Sequence, residues 1–292
     1  MATATYANTA YIFEEEWADQ LQEQLDEPTK WKDFARVIFT DKYTINNPYS
    51  TDPSASTYER DTPFTLATVT QTNESINVSN SRVIAQQIDR AVLAQSTYAD
   101  QMEWARRQGV VLDETIESFI YLDHAEFTDF TNTAIGGGAG SITVSASNVD
   151  DICRAMLREI RQASGQGLLK RNGAFIVWFP SDFEQLEAFI MANGFATADS
   201  YLRNAAGAVE GIRYMGIDHY TSNLLVPGRF VGGIKKAIYV YLLNATYGKV
   251  KVTDGEAGLR SSVIVNTRVD FETTVWNNLA GVVFDMHTAA SS

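Results

Sequence analysis

Apolar residues recur at Tyr98, Met102, Ala105, Gly109, Leu112, Ile116, Phe119 and Ile120. The steps of four and three keep them on one side of a helix over Tyr98–Leu122. Ser96 and Thr97 stand just ahead as N-cap candidates, and Asp100 falls in the first turn, where a carboxylate complements the helix dipole. At about 1.5 Å per residue such a helix spans about 37 Å. Gly109 inside it is worse than Ala by about 1 kcal/mol and allows a kink there. A shorter stripe of Ile12, Phe13, Trp17, Leu21 and Leu25 predicts an amphipathic helix over residues 11–25, closed by Pro28. So short a helix needs a partner surface, either the parent core or a neighbouring subunit.

Between these helices the period changes. Residues 36–40 and 43–45 have strand propensity, and residues 64–70 and 75–79 alternate. Residues 46–61 are rich in Asn, Asp, Pro and Ser, the chemistry of turns. The pattern predicts a long two-stranded ribbon with a polar tip and Thr, Ser and Asn on both faces. An isolated hairpin is marginal in water, so the ribbon lies either on a neighbouring molecule or on its own domain as an ordinary edge hairpin.

After the long helix, the glycines between 136 and 140 read as a flexible connector. No Gly-Lys-Ser/Thr follows them and no helix starts there, so they are not a phosphate loop. Residues 141–145 predict a short strand. Asn148 then caps a helix with the stripe Val149, Ile152, Met156 and Ile160, closed at Gly165 and Gly167. Residues 174–179 are a continuous apolar run ended by Pro180, a buried strand. Ser181 and Glu184 have capping-box spacing and open a helix through Leu186, Phe189 and Ile190 to Gly194. Strand and turn follow over 211–223, with further strands over 232–243, 247–252, 261–271 and 281–286 and a loop at 254–258. Interleaved strands and helices give an α+β or α/β class with a mixed sheet.

Composition narrows the function. The 292 residues are 45% hydrophobic and 20% charged, which is globular and sufficient for a sizeable core. The apolar runs are too short to span a bilayer, and residues 1–10 lack the pattern of a secretory signal. One cysteine, Cys153, excludes an internal disulfide framework and fits a reducing compartment; its place on a helical stripe predicts a core thiol. The net charge of −13 gives no general affinity for phosphate backbones. Residues 1–27 alone hold seven carboxylates and no Lys or Arg, the composition of a solvated acidic face. His124, His219 and His287 are isolated from any second His or Cys at ligand spacing, and His219 beside Asp218 reads as a surface histidine. No nucleophile elbow occurs. Neither a cofactor nor a catalytic constellation is expected.

The order of parts resembles the major capsid protein of tailed phages, with its Hong Kong 97-like fold. Ile88-Asp89 leading through Gln95-Ser96 is similar to that family's approach to its spine helix, and residues 112–116 (Leu-Asp-Glu-Thr-Ile) to its late-helix segment. Residues 174–180 resemble its strand, Pro and helix, residues 211–216 with 221–224 its strand and turn with Ser-Asn, and residues 232–241 the strand after it. The resemblance implies an N-terminal arm (1–31), an extended β-hairpin loop (32–80), a peripheral domain with the spine helix (81–147, completed by 261–292) and an axial α/β domain (148–260). It implies assembly through pentamers and hexamers into an icosahedral head in the virion, made in the host cytoplasm, with DNA enclosed without sequence-specific binding. A separate scaffolding protein, a portal and in some cases a decoration protein are the implied partners, with no membrane. Phe13, Trp17, Tyr43, Tyr49, Tyr58, Arg60 and Phe64 are the implied assembly contacts. An encapsulin-type nanocompartment shares the fold, and a soluble enzyme is the reading from outside it.

Overall fold

The structure, a computed structural model, describes residues 29–50, 55, 57, 58, 60, 69–89, 98–122, 126–193, 212–225, 229–255 and 262–287. The elements in chain order are α1 (Trp31–Phe34), β1 (Arg36–Thr40), β2 (Thr44–Ser50), β3 (Gln71–Asn77), β4 (Asn80–Asp89) and α2 (Tyr98–Leu122). Then come β5 (Thr128–Phe130), α3 (Val149–Gln162), α4 (Gln166–Asn172), β6 (Ala174–Trp178), α5 (Pro180–Ala192), β7 (Ile212–Tyr214) and β8 (Ile217–Thr221). The chain continues with β9 (Arg229–Ile234), β10 (Tyr239–Leu243), β11 (Val250–Gly255), β12 (Ser262–Thr274) and β13 (Val283–His287). The class is α+β, as the interleaving predicts.

The strands form three sheets. One runs β1-β10-β12-β11, with β4 also paired to β12. A six-stranded mixed sheet runs β5-β13-β9-β6-β8-β7, and among the described residues β2 and β3 pair with each other alone. Helix α2 is unbroken through Gly109 and packs on β12 and β4. Its stripe is buried at Leu112, Ile116 and Ile120, and Phe119 meets Phe271 of β12 edge-on at 5.3 Å. Among the described residues, two buried positions on this helix are polar, Gln108 and Glu117. Gln108 donates to Gln86 Oε1 (2.9 Å) and accepts from Thr267 Oγ1 (2.6 Å), joining the helix to β4 and β12.

A single core joins the first sheet to the second. The side chains of Trp31 and Phe34 are fully buried, and Phe34 stacks on Phe175 of β6 with centroids 4.5 Å apart. Tyr121 from the end of α2 stacks on the same ring at 6.4 Å. β6 is buried along its whole length, which explains why its sequence is continuously apolar. β1 runs parallel to β10, and β5 and β13 lie in the six-stranded sheet.

Several local expectations are corrected. Asn46, Asn47 and Pro48 lie in a strand, not a turn. Val78 N donates to Tyr43 O (2.7 Å), so the hydrogen-bonded pairs alternate through Ile45/Ile76, Asn47/Glu74 and Tyr49/Thr72. Pro48 therefore falls where its missing N–H faces away from the partner strand. Residues 141–145 hold a single bridge at Ile142 and no full strand, and a turn follows at 146–148, where the Asn148 side chain takes up the Thr143 carbonyl (2.7 Å) and the Ser145 N–H (2.9 Å) and so makes no capping bond to the helix. Helix α5 starts two residues earlier than the capping box suggests: Phe179 is at the N-cap, Pro180 opens the first turn and Ser181 Oγ is buried without a partner. The apolar run at 232–243 is two strands, β9 and β10, parted by a turn with Lys236 at φ +64°. The end of α5 at Gly194 and the segments 1–28 and 201–209 lie outside the described residues.

Candidate assembly interface

The ribbon of β2 and β3 is the part of the fold with least support of its own. Exposure alternates strictly along β2, with Ile45, Asn47 and Tyr49 half-buried on one face and Thr44, Asn46, Pro48 and Ser50 exposed on the other. Across the ladder, Ile76 and Glu74 complete the half-buried face. Asn47 and Glu74 oppose each other there, and each keeps one buried atom, Asn47 Nδ2 and Glu74 Oε1, without a partner.

The root of the ribbon is held firmly. Val78, Tyr241 and Trp276 form a small core of their own, with Ile38, Ile45, Ile76 and Tyr239 packed around it. Trp276 Nε1 donates to the Tyr241 hydroxyl (3.2 Å), and burial pushes that phenol above its ordinary pKa. Glu272 of β12 accepts from Ser79 N (3.0 Å), Ser79 Oγ (2.7 Å) and Asn80 Nδ2 (2.9 Å), fixing the corner where β3 passes into β4. Asn277 N donates to Glu74 Oε2 (3.2 Å). None of Val78, Glu272 and Trp276 was singled out from sequence. The alternation Tyr239–Tyr241 beside Trp276 was the available signal.

A second anchor holds the start of the described chain. Glu117, fully buried on α2, accepts from Lys30 N (2.7 Å) and from the Tyr121 hydroxyl (2.5 Å), with further bonds from the Trp31 backbone and the Ser222 side chain. Burial pushes its carboxyl above the usual range, against the effect of these donors. Periodicity assigns charged helix positions to solvent, so this carboxylate was not legible. Lys32 Nζ pairs with Asp113 of the same helix (2.5 Å).

The four sequence-derived contact residues that are described do not form one cluster. Tyr43 is 58% exposed at the ribbon root, whereas Tyr49 sits at the far end opposite Thr72. Six residues of strand separate them, about 20 Å. Tyr58 (76% exposed) and Arg60 are exposed beyond β2, and Phe13, Trp17 and Phe64 lie outside the described residues.

Two other singled-out side chains are internal. Cys153 is a core thiol whose pKa burial raises to about 12, as its stripe position predicts. His219 is a correction: it is fully buried, because β8 lies inside the six-stranded sheet beside β6. Trp178 Nε1–H donates to His219 Nδ1 (2.9 Å), which places the ring proton on Nε2, 3.4 Å from the Tyr214 carbonyl. Burial lowers its pKa to about 4. Among the described residues no group of three or more His, Cys, Asp or Glu is arranged to hold a metal, and no helix is long and apolar enough to cross a membrane.

This arrangement of ribbon, long helix on a sheet and α/β body is shared with solved phage capsid structures. The chain matches the solved structure of Mycobacterium phage Che8 with a TM-score of 0.68 at 14% identity, over 95% of this chain and 97% of that one. It matches the capsid of Ralstonia phage GP4 with a TM-score of 0.68 at 8% identity, over 95% and 96%. A virus-like particle from Pyrococcus furiosus matches with a TM-score of 0.53 at 10% identity, over 89% and 92%. No protein-family model and no curated protein matches the sequence.

Glu272→Ala removes three hydrogen bonds from the ribbon root. It should cost about 1–2 kcal/mol and speed amide exchange in β2 and β3 while leaving β6 unchanged. Exchange as slow as wild type in the ribbon would show that Glu272 does not hold it. His219 has a folded pKa below its unfolded value, so its contribution to stability is full above pH 6.5 and is lost as pH falls towards 4. Between those limits His219→Gln, which keeps an acceptor for Trp178, should show a pH slope shallower than wild type by about 3 kcal/mol in total. Parallel pH curves in urea denaturation would contradict the buried neutral state.

Proposed function

We propose that this chain is the major capsid protein of a tailed phage, whose copies assemble through pentamers and hexamers into an icosahedral head enclosing double-stranded DNA. The observation that carries the reading is the ribbon: two strands outside both larger sheets, rooted by Val78, Tyr241, Trp276 and Glu272, with half-buried Ile45 and Tyr49 and no covering layer among the described residues. Such a ribbon gains its missing layer from a neighbouring subunit. The whole-chain likeness to phage capsids supports this, and it exceeds the likeness to the Pyrococcus furiosus particle.

In this reading the N-terminal arm (1–31) and the ribbon bind neighbours, α2 with β4 and β12 forms the peripheral part, and residues 148–260 form the axial part that meets its copies around five- and six-fold centres. The role is mechanical, with no catalytic residue, and the protein belongs to the virion after synthesis in the host cytoplasm. A net charge of −13 suits a wall that repels packed phosphates and does not trap them. A separate scaffolding protein and a portal complete the assembly, with a decoration protein as a further partner.

Replacing residues 50–71 by Asn-Gly, between the hydrogen-bonded pair Tyr49 and Thr72, closes the ribbon with a two-residue turn. This variant should unfold at the wild-type temperature yet form no closed shells by electron microscopy, whereas the wild-type chain forms them. Normal shells from the variant would overturn the role given to the ribbon. Nuclease-protected DNA inside particles from infected cells supports a phage head, and a protein cargo instead would make the shell a nanocompartment.

A further inference from the structure

Arg106, Val110, Asp113 and Glu117, spaced by four, three and four, share one side of α2. This side looks along the edge of the first sheet. Asp113 pairs with Lys32, Lys32 also interacts with Tyr247, and the Tyr247 ring lies 5.5 Å from that of Phe39 on β1. Val250 of β11 pairs with Thr267, whose hydroxyl donates to Gln108, so Val250 faces α2 as well. The result is a trough between the helix and the sheet edge, with an apolar floor that the described residues leave open. Phe39 and Val250 are 54% and 44% exposed, and Val110 and Tyr247 are half-buried. Arg106 is exposed at one end of the trough. The described chain starts at the other end, where Lys30 N donates to Glu117.

We propose that this trough is the docking site for residues 12–25 of the same chain in the unassembled subunit. Entry point, length, apolar spacing and charge select that occupant. The described chain begins at the trough, next to the Lys30 N–H held by Glu117, so residues 1–28 start beside it and need no second subunit to reach it. As a helix, residues 12–25 span about 21 Å, against about 17 Å for α2 from Arg106 to Glu117. Phe13, Trp17, Leu21 and Leu25 recur every fourth residue and give one apolar face for Phe39, Tyr247, Val250 and Val110. The segment joins the body at the Glu117 end, which brings Glu14, Glu15 and Glu16 to the Arg106 end. Once docked, it covers Phe39 and Val250 and keeps Phe13 and Trp17 from other copies until a neighbour competes for them.

The docking goes beyond the capsid reading, because it concerns the isolated subunit and is measured without assembly. A glutamate-specific protease acting on the lowest-mass fraction of the full chain reports it through cleavage after Glu14, Glu15 and Glu16. Cleavage in wild type should be about tenfold slower than in Phe39→Glu/Val250→Glu, which makes the trough acidic. Trp17→Ser, which changes the segment alone, should speed cleavage by the same factor, and combining it with the trough variant should add nothing. Val83→Glu/Lys251→Glu, on the opposite face of the sheet, should cleave like wild type. Protection should also be unchanged by dilution. Equal cleavage of wild type and Trp17→Ser, additive effects of the segment and trough variants, faster cleavage in the opposite-face variant, or protection lost on dilution would each overturn the proposal.

Discussion

Two strands cannot bury both of their faces, and this constraint governs how the molecule is built and what it is suited to do. In β2 and β3 every second side chain is exposed, and the other face is only half-covered. The free energy that such a ribbon lacks has to come from elsewhere. Part of it is local, from the Val78–Tyr241–Trp276 cluster and the three bonds to Glu272. These hold the root, and among the described residues no such cluster covers the far end near Tyr49. The unpaired Asn47 Nδ2 and Glu74 Oε1 halfway along the ribbon fit the same picture.

The rest of the chain supplies a body stiff enough to aim that ribbon. Phe34 stacks between Phe175 of the six-stranded sheet and Tyr121 of the long helix, so one aromatic residue joins three elements distant in sequence. Glu117 completes the junction by binding the backbone of Lys30 and Trp31. Its raised pKa shows that the carboxylate is held at some electrostatic cost, and the donors around it offset that cost. Losing those bonds would leave buried N–H groups unpaired, at about 1–3 kcal/mol each. Both anchors thus fix the place where the described chain begins and the root from which the ribbon leaves the body.

The long helix was legible to the residue, because its stripe follows one period for seven turns and nothing competes with it. β6 was equally plain, since a strand buried on both faces leaves a short continuous apolar run, here ended by Pro180. Ribbon pairing was legible in kind but not in register: Asn46 and Asn47 look like turn residues until the non-hydrogen-bonded position of Pro48 is known. What the sequence hid was polar burial. Gln108, Glu117 and His219 occupy positions that periodicity assigns to solvent or leaves open, and only their distant partners, Thr267, Lys30 and Trp178, make them internal. Of the aromatic contact residues, the sequence located the ribbon they decorate but not the Glu272 and Trp276 clamp that positions it, because both clamp residues come from the far end of the chain.

The most direct test of the claim that a neighbouring subunit completes the ribbon is amide hydrogen exchange on the same chain before and after assembly. The expected result is that amides of β2 and β3 slow by about tenfold or more on assembly, while those of β6, already buried in the subunit, do not change. Ribbon amides that exchange equally fast in both states would mean that no neighbour covers them, and the mechanical role assigned to the ribbon would be wrong.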